Sequence, residues 1–250
     1  MKPFVEMRGI SKRFGTVTAN EAIDFTVMQG EIHALVGENG AGKSTLIKLL
    51  CGFYTPDSGH VLVHGRDVRE WNPVVLHRCI GVIFQDFGRY QFSVGENIGA
   101  GDVRHIDDAV RRATAAETGM AASFIEDMPE GYDTQLGRWF KGGRELSGGQ
   151  WQKIALSRAF MRSDADILVL DEPTAAMDAA SEAAIFDHFQ SQSDTKMTIL
   201  ISHRFSTVRA ADRIIVIHDG EILEQGDHES LLAENGQYAS LFRLQAKGYQ

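Results

Sequence analysis

The sequence predicts an α/β fold built around a largely parallel sheet, and three observations carry this prediction. The chain has 250 residues, which is enough for one large α/β domain with a sizeable core. Its apolar runs are continuous rather than alternating, as is typical of strands that are covered on both faces. Patterns with helical spacing separate these runs, as in layered α/β folds. The strand-like runs are residues 32–36, 80–84, 167–170, 198–201 and 214–217.

The first of these runs leads into the segment GENGAGKS at residues 37–44, which fits the phosphate-loop pattern GxxxxGK[ST]. A helix follows over residues 43–50 and ends at Gly52, so the loop stands between a strand and a helix N-terminus, where backbone N–H groups can bind phosphate oxygens. Lys43 is expected to reach the β- and γ-phosphates, and Ser44 to bind Mg²⁺. The residues predicted to bind nucleotide here are Gly37, Asn39, Gly40, Gly42, Lys43, Ser44 and Thr45.

The middle third of the chain has a different pattern. Residues 102–128 are rich in alanine, and Ile106, Val110 and Ala113 recur at helical spacing. We therefore predict that residues 87–158 form a helical insertion, while residues 1–86 and 159–250 form the catalytic core of a single domain.

The second motif is LSGGQ at residues 146–150. Ser147 is a good helix N-cap, the two glycines expose backbone N–H groups, and a helix follows, so the turn is a second candidate anion site. This motif resembles the signature of the ABC ATPases, and the likeness extends over nearly the whole chain. It implies a P-loop NTPase core of the RecA-like type with a parallel sheet, a small antiparallel β subdomain and an inserted α-helical subdomain. It also implies that two chains close around two Mg·ATP, with Ser147, Gly148, Gly149 and Gln150 of one chain contacting the nucleotide held by the other.

The run ILVLDE at residues 167–172 ends a buried-type strand in two carboxylates. Asp171 is placed to hold Mg²⁺, and Glu172 to act on the attacking water as general base. The two side chains can reach one site only because the strand ends there.

Four further residues take their roles from the family resemblance. Gln85 resembles the glutamine that touches Mg²⁺ and water and senses the membrane subunit. Asp178 lies in AAMD at 175–178, which resembles the loop that crosses the dimer interface. His203 resembles the histidine that contacts the γ-phosphate, and Phe14 resembles the aromatic residue that stacks on adenine. We therefore predict Glu172, His203 and Lys43 as catalytic residues, with ATP and Mg²⁺ as cofactors.

The composition limits which partners and which cellular location can be expected for the chain. The net charge is −9, and no Lys/Arg run is longer than a pair such as Arg111-Arg112, so nucleic acid is not predicted as a partner. Cys51 and Cys79 form no CxxC pattern and are expected to be free thiols. No apolar stretch approaches the ~20 residues that cross a bilayer. We therefore expect a cytoplasmic chain, peripheral on the inner face of the cell membrane, that pairs with a second copy and with separate permease subunits.

The resemblance is uneven, and it leaves the direction of transport open. Residues 4–65 look most like the ATPases of bacterial sugar importers, whereas the chain from about residue 80 looks more like exporter ATPases. Two alternatives to a transporter subunit are a soluble ABC ATPase and a nucleotide-binding regulatory module without turnover. The intact Lys43, Asp171, Glu172 and His203 argue against the second alternative. Trp151, which follows the signature, is expected to lie in the core.

Overall fold

The computed structural model describes residues 3–173, 177, 179–192 and 196–247, and within these ranges it contains ten strands and ten α-helices. The strands are β1 (Val5–Phe14), β2 (Val17–Val27), β3 (Ile32–Val36), β4 (Ser58–Val63), β5 (Arg66–Asp67), β6 (Ile80–Ile83), β7 (Ile167–Asp171), β8 (Met197–Ile201), β9 (Arg213–His218) and β10 (Glu221–Gly226). The helices are α1 (Lys43–Leu50), α2 (Pro73–Arg78), α3 (Val94–Gly99), α4 (Ala109–Thr118), α5 (Ala122–Glu126), α6 (Gly148–Phe160), α7 (Ala179–Gln192), α8 (Phe205–Val208), α9 (His228–Glu234) and α10 (Gln237–Lys247). In this part of the chain, no helix combines the length and apolar character needed to cross a membrane.

A six-stranded sheet forms the centre of the fold, in the order β10-β9-β3-β8-β7-β6. Strands β9, β3, β8, β7 and β6 pair in parallel, and β10 adds an antiparallel edge. Every residue of β3 and β8 is buried, as expected for strands that are covered on both faces. The predicted parallel sheet is confirmed. Because parallel strands point the same way, the segments that follow β3, β6, β7 and β8 emerge at one edge of this sheet.

A four-stranded antiparallel sheet, in the order β2-β1-β4-β5, packs over one face of the central sheet. The apolar core between the two sheets includes Met7 and Ile10 of β1, Leu46 and Leu49 of α1, and Val169 of β7. Helix α1 therefore begins at a fixed point between two layers. This sheet is the small antiparallel subdomain that the family resemblance implies.

Helices α3, α4, α5 and the first half of α6 pack around a separate apolar cluster that includes Val94, Ile125 and Trp151. Trp151 is buried, as predicted. The second half of α6 instead packs on the central sheet through Ala155 and Leu156. Helix α6 therefore spans both regions, and the division proposed at residue 158 falls inside it.

The residues that recur at helical spacing in the alanine-rich segment do not form the buried side of one helix. Helix α4 begins at Ala109, so Ile106 lies before it, and Val110 is 77% exposed. The buried residues of this helix are Ala115 and Ala116, which pack against the neighbouring helices. The contacts between α4 and its neighbouring helices are made by small alanine side chains. A pattern based on larger apolar residues does not identify these buried positions.

The two cysteines are free thiols, as predicted. Cys51 is buried, whereas Cys79 is half-buried. Burial raises the pKa of the Cys51 thiol to about 12, so the thiol stays protonated at neutral pH.

Candidate functional site

The loop between β3 and α1 is built to bring backbone groups close together. A Cβ on Gly37 would lie 2.1 Å from the carbonyl oxygen of Ile217, and one on Gly42 would lie 2.0 Å from that of Ala19. Both approaches exclude any side chain, so these two positions require glycine. Gly42 also caps α1 in the left-handed conformation, with φ at 95°. The first turn of α1 therefore opens directly onto the loop.

Lys43 places its ammonium group at the centre of this loop. Its Nζ donates to the carbonyl oxygens of Gly37 at 2.8 Å and Glu38 at 2.7 Å, and the residue is only 8% exposed. Burial lowers the pKa of this ammonium group, while the carboxylates of Glu172, Asp171 and Glu38 act in the opposite direction. The loop thus presents a buried cation and a helix N-terminus to one space, which is the arrangement that binds phosphate groups.

Asp171 ends β7 beside the first turn of α1. Its carboxylate accepts a hydrogen bond from the Ser44 hydroxyl, and the residue is buried. Burial raises the pKa of Asp171 and the nearby Glu172 adds to this, while Ser44, Lys43 and Lys48 oppose it. A buried carboxylate with a raised pKa gains stability when a cation binds beside it.

Glu172 follows at a sharp turn of the backbone, with φ at 51°. This left-handed conformation costs a non-glycine residue about 1–2 kcal/mol. Two hydrogen bonds hold it: the N–H of Glu172 donates to the Ile201 carbonyl at 2.9 Å, and the Glu172 carbonyl accepts from Gln152 Nε2 at 3.1 Å. The turn reverses the alternation of a strand, so the adjacent side chains of Asp171 and Glu172 face one site.

The Glu172 carboxylate has two polar neighbours from the same edge of the sheet. Gln85, in the segment after β6, donates from Nε2 to Oε2 at 3.0 Å. His203, after β8, places Nδ1 3.5 Å from Oε1. The side chain of Glu172 is 12% exposed and that of His203 is 57% exposed. Three residues that are far apart in the sequence therefore meet at one carboxylate.

Most of these residues line a cleft of about 380 Å³, but Gly37 and His203 are not among its described lining residues. Its lining contains most of the residues predicted from the sequence, together with residues of β2 and β8 that the sequence patterns missed. The lining residues are Val17, Ala19, Asn39, Gly40, Gly42, Lys43, Ser44, Thr45, Gln85, Asp171, Glu172 and Ile201. Phe14 is not among them. It is 43% exposed at the end of β1, and it pairs with Val17, which does line the cleft.

The signature turn lies outside this cleft. Ser147 caps α6 in a capping box: its Oγ accepts from the Gln150 N–H at 3.3 Å, and Gln150 Oε1 accepts from the Ser147 N–H at 3.0 Å. Ser147 and Gly148 are exposed, Gly149 is half-exposed, and a Cβ on Gly148 would meet nothing within 4 Å. Asp178, which was also predicted to bind the nucleotide, lies outside the described residues.

The oxygen-bearing side chains at the cleft suit a hard divalent cation. The Asp171 carboxylate and the Ser44 hydroxyl are already within hydrogen-bonding reach of each other, and both are ligand types that Mg²⁺ uses. The Gln85 amide donates to Glu172 through nitrogen, which leaves its oxygen unused by that bond. No cluster of three His, Cys, Asp or Glu residues that could hold a metal is found in the described ranges. The donor set fits a metal that is bound mainly through a nucleotide rather than by a protein cage.

The parallel sheet, the phosphate loop at its edge and the paired carboxylates define a P-loop NTPase. The sequence profile described as "ABC transporter" matches residues 20–175, which is more than half of the chain. The chain belongs to the ABC transporter family and is an ATP-binding part of this family, whose general function is ATP hydrolysis coupled to transport.

Individual relatives agree with this assignment. An ATP-dependent lipid A-core flippase of Xylella fastidiosa (strain 9a5c) is 39% identical over 245 residues, which cover 97% of this chain and 41% of the flippase. The β-(1→2)glucan export ATP-binding/permease protein NdvA of Rhizobium etli is 39% identical over 244 residues, with 97% and 40% covered. The subtilin transport ATP-binding protein SpaT of Bacillus subtilis is 42% identical over 210 residues, with 84% and 34% covered.

The structural comparison gives the same result. A bacterial Atm1-family ABC exporter with ATP bound superposes with a TM-score of 0.90 at 33% identity, covering 98% of this chain and 42% of that one. The chain thus spans about two fifths of the length of the flippase, the glucan export protein and this exporter. The flippase and the export protein each match 97% of the chain, so this likeness includes the N-terminal part, which was expected to resemble importer ATPases.

Proposed function

We propose that this chain binds and hydrolyses ATP as the nucleotide-binding subunit of an ABC exporter. The observation that carries the proposal is the convergence of Gln85 and His203 on the Glu172 carboxylate beside the phosphate loop. A protein that only bound nucleotide would need Lys43 and the phosphate loop. It would not need a carboxylate such as that of Glu172, with two polar neighbours, at the end of a buried strand. Export is favoured over import because the relatives named above are a flippase, an export protein and an exporter.

Each group in the cleft has a role in this proposal. The N–H groups of the loop and the Lys43 ammonium bind the phosphates, and Ser44, Asp171 and Gln85 would hold Mg²⁺ through their oxygen atoms. Bound Mg²⁺ would neutralise charge on the phosphate oxygens. Glu172 orients the attacking water and accepts its proton, while His203, next to that carboxylate, contacts the γ-phosphate. Catalysis is then mainly positioning and electrostatic stabilisation.

The signature turn supports a two-chain arrangement. Its exposed helix N-terminus is suited to bind phosphate, yet the cleft of the same chain is lined without it. A second copy that approaches head to tail would place Ser147, Gly148 and Gly149 against the nucleotide, with Gln150 behind them and Asp178 near the interface. Closure and reopening of this dimer would drive permease subunits in the membrane, at its inner face. The segment after Gln85 and the helices around α3 to α6 would form the contact with those subunits.

The catalytic part is tested with Glu172→Gln, which keeps the shape of the side chain and removes the base. We expect the rate of ATP hydrolysis to fall by about 10²–10⁴-fold, the usual contribution of general base catalysis, while ATP still binds. Glu234→Gln, at an exposed position of α9, is the matched control and should keep the parent rate. Full hydrolysis by the Glu172→Gln chain would refute the assigned role.

The transport part is tested by co-purification. Tagged Glu172→Gln chain would be isolated from gently solubilised membranes of its native host with Mg·ATP present. We expect a multi-span membrane protein to accompany it. Recovery of soluble proteins alone, in repeated trials, would instead support a non-transport ABC ATPase.

A further inference from the structure

Helix α10 packs directly on the segment that carries His203. Three residues spaced along one side of the helix, Tyr238, Phe242 and Gln245, contact the backbone or the ring of residues 203–205. The rings of Tyr238 and Phe242 both meet the ring of Phe205 edge-on, each at 5.3 Å between centroids. The side of α10 that faces the protein is therefore occupied by the His203 segment.

Gln245 joins two backbone atoms of this segment. Its Nε2 donates to the His203 carbonyl oxygen at 2.7 Å, and its Oε1 accepts from the Phe205 N–H at 3.0 Å. Helix α8 starts at Phe205, and its N-cap residue, Arg204, makes no side-chain hydrogen bond to the first turn. A helix N-terminus leaves its first N–H groups without helical partners. One amide group from α10 thus satisfies the start of α8 and fixes the carbonyl of His203 at the same time.

Helix α10 is itself firmly held. The carboxylate of Glu224, in β10, accepts from the backbone N–H groups of Gln237 and Tyr238 at the first turn of the helix. Tyr238 is fully buried, and its hydroxyl is hydrogen-bonded to His228 Nδ1 at 2.7 Å. The position of Gln245 is therefore set by a helix that is anchored near its other end.

The opposite side of the segment is also anchored. Arg204 Nη1 donates to the Glu182 carboxylate at 3.0 Å and to the Met177 carbonyl at 3.2 Å. The side chain of His203 is different, because it is 57% exposed and packing restrains it weakly. Its distance from Glu172 therefore depends on where the backbone of residues 203–205 is held.

We infer that Gln245 is a positioning residue for His203 and acts on it through the main chain. The inference rests on the proposed function, since the step it serves is ATP hydrolysis. Among the residues that the structure describes, none of those lining the cleft belongs to α10. Loss of the amide bridge should therefore displace the His203 ring from Glu172 while the phosphate loop, and with it the binding of ATP, stays as it was.

The test compares Gln245→Ala and Gln245→Glu with the parent chain of 250 residues. Gln245→Glu retains an acceptor for the Phe205 N–H but places a carboxylate against the His203 carbonyl. We expect kcat for ATP hydrolysis to fall about tenfold in both variants, as the loss of one or two hydrogen bonds predicts, with KM for ATP within about twofold. Leu244→Ala, at a neighbouring exposed position of α10, is the matched control and should keep the parent kcat.

A double-mutant cycle separates positioning from general stability. In a His203→Ala background, measured by single-turnover hydrolysis with the chain in excess, Gln245→Ala should slow the reaction by less than about twofold, because its effect runs through His203. An undiminished tenfold loss in that background would overturn the inference. So would a parent kcat in both Gln245 variants, or a rise in KM that equals the fall in kcat.

A second measurement does not need turnover. The ring resonances of His203, assigned by their loss in His203→Gln, should shift in Gln245→Ala and stay in place in Leu244→Ala. Unshifted resonances in Gln245→Ala would contradict the inference even if the chain hydrolyses ATP. Conversely, the parent chain could lack ATPase activity while Gln245→Ala still shifts the His203 resonances. That result would refute the proposed function and leave the link between Gln245 and His203 intact.

Discussion

The phosphate-loop cleft and the signature turn both present a helix N-terminus, but they differ in how much of a site each contains. In the cleft, Lys43, Asp171 and Glu172 influence one another electrostatically, and residues from β2, β7 and β8 line the same space. At the turn, Ser147 and Gln150 satisfy each other, and the glycines between them face outward.

This difference fits the proposed two-chain arrangement, in which the cleft of one chain holds the nucleotide and the signature turn of a second copy adds to the same site. The cleft contains a buried cation and two carboxylates, so under the proposed function it should bind a nucleotide before a second copy approaches. The turn offers only neutral N–H groups, and helix N-termini of this kind add to a phosphate site that other groups complete. Changes in the two regions should therefore affect different steps.

Outside the cleft itself, the largest expected effect is that of Gly148→Asp. A Cβ at Gly148 meets nothing within 4 Å, and a carboxylate at the first residue of α6 suits the helix dipole, so the isolated chain should fold normally. Across a dimer, the same carboxylate would repel the triphosphate. We expect hydrolysis to fall by about 100-fold, equivalent to about 3 kcal/mol of like-charge repulsion. Binding of a fluorescent ATP analogue to the dilute chain should stay within about twofold.

Gly148→Asn is the neutral control of equal size, and it should retain most of the activity. An equal loss in Gly148→Asn would assign the effect to shape rather than charge. Loss of nucleotide binding by the dilute Gly148→Asp chain would break the comparison itself, because the turn would then belong to the site of its own chain.

A smaller effect is expected where the two regions touch. Gln152, on α6, donates to the carbonyl of Glu172 and so helps to hold the left-handed turn that aims the carboxylate. Gln152→Leu removes this donor and leaves the carbonyl unpaired at a cost of about 1–2 kcal/mol. We expect kcat to fall about fivefold to tenfold, while KM for ATP changes little, as steady-state kinetics would show. A variant with unchanged kcat would mean that the turn is held by the other hydrogen bond alone, which the Glu172 N–H donates to the Ile201 carbonyl.

The sequence predicts the residues of the phosphate loop more completely than the residues that pack against them and hold them in place. The strand at 32–36 and the helix at 43–50 are observed with the predicted bounds, because the motif specifies strand, loop and helix within a few residues. Gln152, Ala19 and Ile201 were not predicted as part of the site. Their roles depend on contacts between residues 20 or more positions apart, and no local pattern of type or spacing reports such contacts.

The helical region shows a different limit. The helical pattern there was recognised from Ile106, Val110 and Ala113, whereas α4 packs through Ala115 and Ala116. Alanine is common on both the exposed and the buried side of helices, so its position in the pattern carries little information about burial. The signature turn, by contrast, was predicted as a capped helix start, since the Ser147 and Gln150 side chains act within a single turn.

The smallest expected effect concerns the sheet beneath the cleft. It tests how tightly the strand that leads into the phosphate loop is packed, through the pH dependence of stability. His33 lies in β3, four residues before the phosphate loop; it is fully buried, and its Nε2 contacts Glu31 at 2.9 Å. Burial lowers the pKa of His33 from its ordinary value of 6.5, and Glu31 opposes this only in part. Below about pH 6.5 the unfolded chain binds a proton at this residue while the folded chain does not, so acid favours unfolding.

The free energy of unfolding should therefore fall by up to ~1.4 kcal/mol per pH unit from this residue alone as the pH drops below about 6.5. The decline should stop once the pH passes the lowered folded-state pKa. Urea unfolding of the parent and of His33→Leu between pH 7.5 and 5.5 would measure it, and the variant should show the shallower slope. His218→Leu, at a half-exposed position of β9, should retain the parent slope. Parallel slopes for the parent and His33→Leu would mean that the folded sheet accepts the proton at β3, and that the strand leading into the cleft is less tightly closed than its burial indicates.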